Sequence, residues 1–103
     1  MNSATYIPGQ IVFYMYNFNG RFPVFYKVTK ITAKSIYIVE IGKSYGNIAP
    51  GFSSYDCAPG PDRITGRERR ILVQPDGYGY INYSGYRFAL EAWKGSPISG
   101  YAD

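Results

Sequence analysis

Seven basic side chains have the clearest potential chemistry in the sequence: Lys27, Lys30, Lys34, Arg63, Arg67, Arg69 and Arg70. Ammonium and guanidinium groups neutralise phosphates, so these residues predict a surface that binds nucleic acid or another polyanion. The alternative is a set of solvated strand ends, because Asp62 and Glu68 lie among the arginines and offer them local ion pairs.

A run of tyrosines is the second candidate for binding chemistry. Tyr78 and Tyr80 share one face of a predicted strand, and Tyr83 and Tyr86 follow closely. Small barrels bind single strands by stacking bases on exposed rings beside basic residues. We therefore predict that Tyr78 and Tyr80 join the seven basic residues in binding nucleic acid. The alternative is that these rings pack on neighbouring strands with their hydroxyls at the rim.

Catalytic and metal-binding residues are scarce. The sequence has no histidine and one cysteine, Cys57, which argues against a Cys/His zinc site and a His-activated nucleophile. The acidic residues form no close pair on a predicted shared face, and no Walker-type or G-x-S-x-G motif is present. We expect no enzymatic activity, no cofactor, no metal and no small-molecule substrate.

The composition indicates one small, folded and mildly basic domain. Of its 103 residues, 46% are hydrophobic and 17% are charged, and the net charge of +4 favours a polyanionic partner. Twelve Tyr, six Phe and one Trp exceed what so small a domain can bury, so some rings should lie at interfaces or against bases. No transmembrane run or secretory signal is recognisable, so we expect an intracellular or virion-associated protein that is not secreted and binds no membrane.

The elements that must position these residues are mostly β-strands. Apolar runs rich in β-branched residues and Tyr, on either side of a polar break at 32–35, predict a hairpin over residues 25–41. Ile31 interrupts the alternation, which predicts a bulge or the start of the turn there. Lys27 and Lys30 have opposite strand parity, so only a twist or that bulge would bring them to one face.

Residues 42–66 are rich in Gly and Pro and have no period, which predicts a long irregular loop at about 42–66. Such a loop is either a meandering surface connection or a segment for binding and assembly. In the second case Tyr45, Phe52 and Tyr55 would form an interface, since exposed aromatic residues need a surface to pack against.

The last third of the chain predicts a hairpin followed by a helix. Residues 67–74 end in an apolar strand, Pro75-Asp76-Gly77 is a turn signal, and residues 77–83 return as the partner strand. The spacing of Tyr86, Ala89 or Leu90, and Trp93 predicts a short C-terminal helix, with Ser84 as its N-cap and Gly95 as its C′ residue. We therefore predict an all-β, mainly antiparallel domain over residues 1–103, a small SH3-like barrel of about five strands with this one helix.

A set of short segments is similar to a known pattern. The segments are 25–28, 30–36, 69–71, 80–81, 93–97 and Tyr101. In this order they resemble small uncharacterised SH3-like barrel proteins of phages, plasmids and other mobile elements. The chain departs from that pattern at residues 17–23 and at Lys94, where those proteins usually carry Asp. The resemblance implies a barrel of viral or mobile-element origin and implies no activity; small basic virion proteins of large DNA viruses are similar in type.

Two functions follow from these observations. The first is a basic, tyrosine-rich, non-enzymatic module that associates with nucleic acid without sequence specificity. The second is a structural or interaction protein, such as an abundant virion component, that acts through a homodimer or another protein partner. Arginines and exposed tyrosines on one concave face would favour the first, whereas a flat apolar tyrosine patch rimmed by charges would favour the second.

Overall fold

A computed structural model describes residues 6–16, 20–46, 54–83, 85–95 and 98–102. Within these ranges the chain forms nine strands: β1 (Ile11–Tyr16), β2 (Gly20–Ile31), β3 (Ser35–Gly46), β4 (Ser54–Ile64), β5 (Arg69–Leu72), β6 (Tyr80–Tyr83), β7 (Tyr86–Ala89), β8 (Glu91–Ala92) and β9 (Ile98–Ala102). All their pairings are antiparallel, and the described residues contain no helix. The prediction of an all-β, antiparallel fold is confirmed.

Two long strands, β2 and β3, each contribute to two layers. With β8, β1 and β5 they form a five-stranded layer, the central sheet, in the order β8-β1-β2-β3-β5. Farther along, β2 pairs with β9 and β3 pairs with β4, while β4 and β9 pair with each other. The resulting cycle of β2, β3, β4 and β9 curls the sheet into a half-barrel, in agreement with the predicted small barrel.

The predicted hairpin over residues 25–41 is formed by β2 and β3. Thr32 closes its turn, because its side-chain oxygen accepts a hydrogen bond from the Ser35 N–H at 3.1 Å. The predicted bulge is present, but it lies between Val28 and Lys30 rather than at Ile31. Residues that directly oppose each other share a face, and the extra residue switches the parity of everything after it.

The central sheet is buried on both faces. One face packs under β6 and β7, which pair only with each other and are called the ribbon here. The buried core on this side comprises Tyr6, Val12, Tyr14, Tyr26, Val28, Ile36, Ile38, Ile71, Ile81 and Leu90. The opposite face encloses a smaller core of Phe25, Val39, Ile41 and Cys57 inside the half-barrel. The molecule therefore stacks the ribbon, the central sheet and the remaining strands in layers.

The prediction of a helix after residue 84 is wrong. Tyr86–Ala89 is β7, and it pairs with β6 so that Phe88 lies opposite Ile81 and Arg87 opposite Asn82. Gly85 directly precedes β7 and has φ +80°, a value typical of tight hairpin turns. Tyr86 and Phe88 are two residues apart, which is the period of a strand. The helical spacing of Tyr86, Leu90 and Trp93 was therefore coincidental.

The predicted irregular loop at about 42–66 is corrected over most of its length. β3 continues to Gly46 and β4 covers Ser54–Ile64, while residues 47–53 lie outside the described residues. The register shifts between Ile41 and Gly42, because Ile41 pairs with Ile64 whereas Gly42 pairs with Gly60. This irregularity, together with Gly and Pro at paired positions, removes the periodic signal by which a strand is recognised in sequence.

Residues 67–83 fold differently from the predicted hairpin. The turn at Pro75-Asp76-Gly77 is present, and the Gly77 N–H donates to the Gln74 carbonyl at 2.8 Å. However, β5 pairs with β3 in the central sheet, whereas β6 pairs with β7 in the ribbon. The two strands that flank the turn therefore belong to different layers and separate from one another.

The hydroxyl of Tyr6 binds the two chain segments that connect the ribbon to the central sheet. It donates to the Leu90 carbonyl at 2.7 Å and accepts from the Gly79 N–H at 2.8 Å, and all three groups are buried. The Gly79 carbonyl in turn accepts from the Leu90 N–H at 2.9 Å. A side chain at Gly79 would have no room, because a Cβ there would lie 2.9 Å from Ile71 Cγ2. One phenol thus satisfies buried backbone groups on both chain segments at the open end of the ribbon.

We predict that Tyr6→Phe lowers the free energy of unfolding by about 1–3 kcal/mol, because it leaves the buried Gly79 N–H without an acceptor and the Leu90 carbonyl with one donor fewer. Urea denaturation measures the change. Tyr78→Phe is the matched control, since the Tyr78 ring is 39% exposed. Equal stability of Tyr6→Phe and the control would contradict the role assigned to Tyr6.

Candidate functional site

The separation of β5 from β6 leaves two adjoining cavities between the central sheet and the ribbon. The first, called the tyrosine cavity, has a volume of about 440 Å³ and is lined by Tyr14, Tyr16, Val24, Tyr26, Glu40, Arg69, Ile81, Asn82 and Tyr83. The second, called the arginine groove, has a volume of about 250 Å³ and is lined by Arg69, Arg70, Ile71, Leu72, Gln74, Tyr80, Asn82 and Arg87. Arg69 and Asn82 line both, so the two spaces meet at these side chains.

The register of the strands determines which residues form the floor of the tyrosine cavity. Tyr26 of β2 lies opposite Glu40 of β3, and Val24 lies opposite Tyr14 of β1. Arg69 lies opposite Ile38, which is two residues from Glu40 and therefore on the same face of β3. Three neighbouring strands thus present phenol, carboxylate and guanidinium groups to one space.

The inward-facing side of the ribbon forms the opposite wall. Tyr83 shares strand parity with the buried Ile81, and its ring meets the Tyr16 ring edge-on at a centroid distance of 5.4 Å. The Phe88 ring stacks on the Tyr14 ring at 4.8 Å. These ring contacts hold the ribbon against the central sheet at a fixed spacing, which keeps the cavity open.

Buried hydroxyls line the cavity floor. Burial raises the pKa of Tyr14, and the neighbouring phenol of Tyr26 raises it further. Burial also raises the pKa of Tyr26, and the Glu40 carboxylate adds to this effect. The positive charge of Arg69 and the polar interactions of the Tyr26 hydroxyl with Tyr14 and Arg69 lower the pKa of Tyr26, but burial outweighs them. Both phenols are therefore neutral hydrogen-bonding groups at neutral pH.

The arginine groove has an ordered wall on the ribbon. The Arg87 guanidinium lies 4.1 Å from the centroid of the Tyr80 ring, a cation–π contact. The Tyr80 hydroxyl donates a short hydrogen bond to the Asp76 carboxylate, which also accepts from the Tyr78 N–H at 2.9 Å. Both hydrogen bonds lower the pKa of Asp76, and the one from Tyr80 has the larger effect. The turn at Asp76 therefore fixes Tyr80, and Tyr80 supports Arg87.

The structure brings together three of the residues predicted to bind nucleic acid. Arg69, Arg70 and Tyr80 all line the arginine groove. Tyr78 is adjacent in sequence and partly exposed, but it does not line the groove. One face of the Tyr80 ring is covered by Arg87, so this residue supports a cation rather than offering that face to a base.

The hairpin lysines lie elsewhere. Because of the bulge, Lys30 lies opposite Tyr37 and Lys27 lies opposite Val39, so both lie on one face, as the predicted bulge would require. Arg70 also lies opposite Tyr37, and the Lys30 ammonium is 5.3 Å from the centroid of the Tyr37 ring. Lys30 and Arg70 therefore flank Tyr37 on one face of the central sheet, whereas Lys27 is half-buried farther along that face.

The remaining predicted residues are dispersed. Lys34 and Arg67 are exposed in connections outside both cavities. Arg63 packs beside Gly42 and Gly60 in the half-barrel, and its guanidinium donates to the Lys43 carbonyl at 3.4 Å. The interface predicted from the sequence comprised Tyr45, Phe52 and Tyr55. Phe52 and the side chains of the two tyrosines lie outside the described residues.

Sequence reasoning missed Arg87, Glu40 and the cavity tyrosines. Arg87 lay in a predicted helix, which concealed its pairing with Asn82 across the ribbon. Glu40 and Tyr26 become neighbours only through the register of β2 and β3. Alternation in the hairpin did place Tyr26 and Val28 on one face, but it gave no indication that a second layer would cover that face.

Comparisons with known proteins leave the geometry as the basis for function. No protein-family model, curated protein or solved structure matches the chain. The resemblance to mobile-element barrel proteins therefore stays a prediction. Within the described residues there is no helix long and apolar enough to cross a membrane, and there is no group of three or more Cys, Asp and Glu side chains that could hold a metal ion.

We predict that raising the pH above 10.0, the ordinary pKa of Tyr, destabilises the protein through Tyr14 and Tyr26. Above this pH the unfolded phenols lose protons while the folded ones keep theirs, so the free energy of unfolding falls; below it both states are protonated and the contribution is constant. Urea denaturation between about pH 8 and 11 measures this slope. Tyr14→Phe should have a shallower slope, and an unchanged slope would contradict the assignment.

Proposed function

We propose that the protein binds nucleic acid through the arginine groove, with phosphate contacts that do not depend on sequence. The observation that supports this most directly is that Arg69, Arg70 and Arg87 all line one concave surface. Guanidinium groups bind phosphate oxygens bidentately, and several in one groove can follow a phosphate backbone. The hydrogen-bonding side chains Gln74 and Asn82 complete the lining.

Two acidic residues close in sequence to these arginines or to the groove, Glu68 and Asp76, are engaged by other groups. Glu68 accepts a hydrogen bond from the Thr29 hydroxyl at 3.1 Å, and Asp76 is bound by Tyr80. Neither carboxylate lines the groove. With a net charge of +4 for the whole chain, the local field should attract anions to the groove.

The arrangement of exposed aromatic and aliphatic residues favours this function over a structural one. Large exposed hydrophobic side chains lie on several different elements, namely Ile7, Ile64, Leu72, Tyr78, Tyr83 and Tyr86. An interface between copies would call for a contiguous apolar patch. Arginines and a tyrosine that share one concave surface match the expectation for a binding module. A homodimer or virion partner stays a prediction that rests on Tyr45, Phe52 and Tyr55.

Removing two groove arginines tests the proposal. We expect Arg70→Ala/Arg87→Ala to weaken binding of single-stranded oligonucleotides of every sequence. It should also flatten the plot of log affinity against log salt by roughly 1.4, since each phosphate contact on a single strand contributes about 0.7. Fluorescence anisotropy, measured from about 50 to 200 mM salt, gives both quantities.

Lys34→Ala/Lys94→Ala is the matched control, because it removes the same charge from exposed positions outside the groove. It should change affinity less and leave the salt slope closer to that of the unmodified protein. Thermal unfolding of both variants verifies that they remain folded. An unmodified protein that binds neither single- nor double-stranded DNA or RNA, or two variants with equal slopes, would overturn the proposal.

A further inference from the structure

We propose that the tyrosine cavity holds one unstacked base of the bound strand, and that the base it accepts best is guanine. This inference rests on the proposed function, because the strand must first lie in the arginine groove. The phosphate contacts of the groove have no preference for single strands or for a particular base. The cavity would add both preferences.

The two cavities share two lining residues, and a single nucleotide that passes between these side chains would occupy both. Arg69 and Asn82 line each of them, so a phosphate in the groove and its own base in the cavity would lie on either side of the same pair of side chains. Bases in a duplex are paired and stacked, so a base reaches such a cavity only from a single strand or by leaving the helix.

The cavity suits an aromatic occupant. Its volume of about 440 Å³ lies within the range of small-ligand sites, and four tyrosines contribute to its lining: Tyr14, Tyr16, Tyr26 and Tyr83. Tyrosine rings bind bases by stacking on their faces. The Tyr83 ring is 48% exposed, so part of its surface remains accessible to an incoming base.

Glu40 excludes a phosphate from the cavity and selects among bases. Its carboxylate is an acceptor with two oxygens, which repels anions and binds paired N–H donors. Guanine alone presents two adjacent donors on one edge, the ring N1–H and the 2-amino group. Thymine and uracil present one N–H between two carbonyls, and adenine and cytosine present an amino group beside an acceptor nitrogen. A carboxylate therefore pairs bidentately with guanine only.

Arg69 complements Glu40 from the neighbouring strand. A guanidinium has five N–H donors, so the interaction of Arg69 with the Tyr26 hydroxyl leaves several of them to bind a base. Arginine donors match the O6 and N7 acceptors of guanine. The cavity thus offers an acceptor pair and a donor group to the two kinds of edge that guanine carries.

Oligothymidylates that carry one central substitution test the inference in the full chain by fluorescence anisotropy. We expect a single guanine to bind at least about fivefold tighter than thymine at the same position, the lower limit for a good bidentate contact. Hypoxanthine, which lacks the 2-amino group, and adenine should lose this gain. The same substitutions in ribo-oligomers should give the same order of preference.

Glu40→Ala should reduce the ratio of guanine to thymine affinity to near one, while the salt slope on oligothymidylate is retained. Glu68→Ala is the matched control: it also removes an acid, but one that lies outside the cavity, so it should leave the ratio unchanged. Because the Glu40 side chain is exposed, its removal should not prevent folding, which thermal unfolding verifies.

The outcomes distinguish this inference from the proposed function. Salt-dependent binding with no gain for guanine overturns the inference and leaves the arginine groove in place. A gain for guanine that persists in Glu40→Ala, an equal gain for hypoxanthine, or a larger gain for adenine also overturns it. If no oligonucleotide binds, both the inference and the proposed function fail.

Discussion

The attachment of the ribbon to the central sheet is the constraint on which the rest of this structure depends. Tyr6 contributes one buried hydroxyl that bridges Gly79 and Leu90, which are the residues just before and just after the ribbon. Ile81 and Phe88 bury the ribbon's inner side against the sheet. Since a two-stranded ribbon is at best marginally stable alone, its position is set by these contacts rather than by its own pairing.

The same attachment creates the candidate site. β5 remains with the central sheet while β6 departs with the ribbon, so the two strands diverge from the turn at Asp76. A space opens between the two layers, with a tyrosine-rich cavity and an arginine-lined groove next to each other. Arg69 lines both the arginine groove and the tyrosine cavity, so it lies where the two meet. The contacts that attach the ribbon to the central sheet therefore also shape the candidate site.

Local rules predicted what is local in this fold. Alternation and β-branched residues identified the hairpin of β2 and β3, and the turn residues at 75–77 were recognised from their types. Layer assignment was out of reach, because nothing in residues 67–83 distinguishes a hairpin that stays paired from one that opens. The helix prediction failed at Tyr86–Ala89, where aromatic residues satisfy two periods at once and only pairing with β6 decides between them. Arg69 and Arg70 were identified by charge alone; Arg87 and Glu40 required strand register.

The central claim is that nucleic acid enters the space between the central sheet and the ribbon. Titration of ¹⁵N-labelled protein with a single-stranded oligonucleotide, followed by two-dimensional NMR, tests this claim most directly. The account predicts that the largest shifts occur at the side-chain Nε–H groups of Arg69, Arg70 and Arg87 and at the backbone amides of β5 and β6. Shifts concentrated at Lys43 and Cys57 in the half-barrel, or an unchanged spectrum at saturating oligonucleotide, would contradict it.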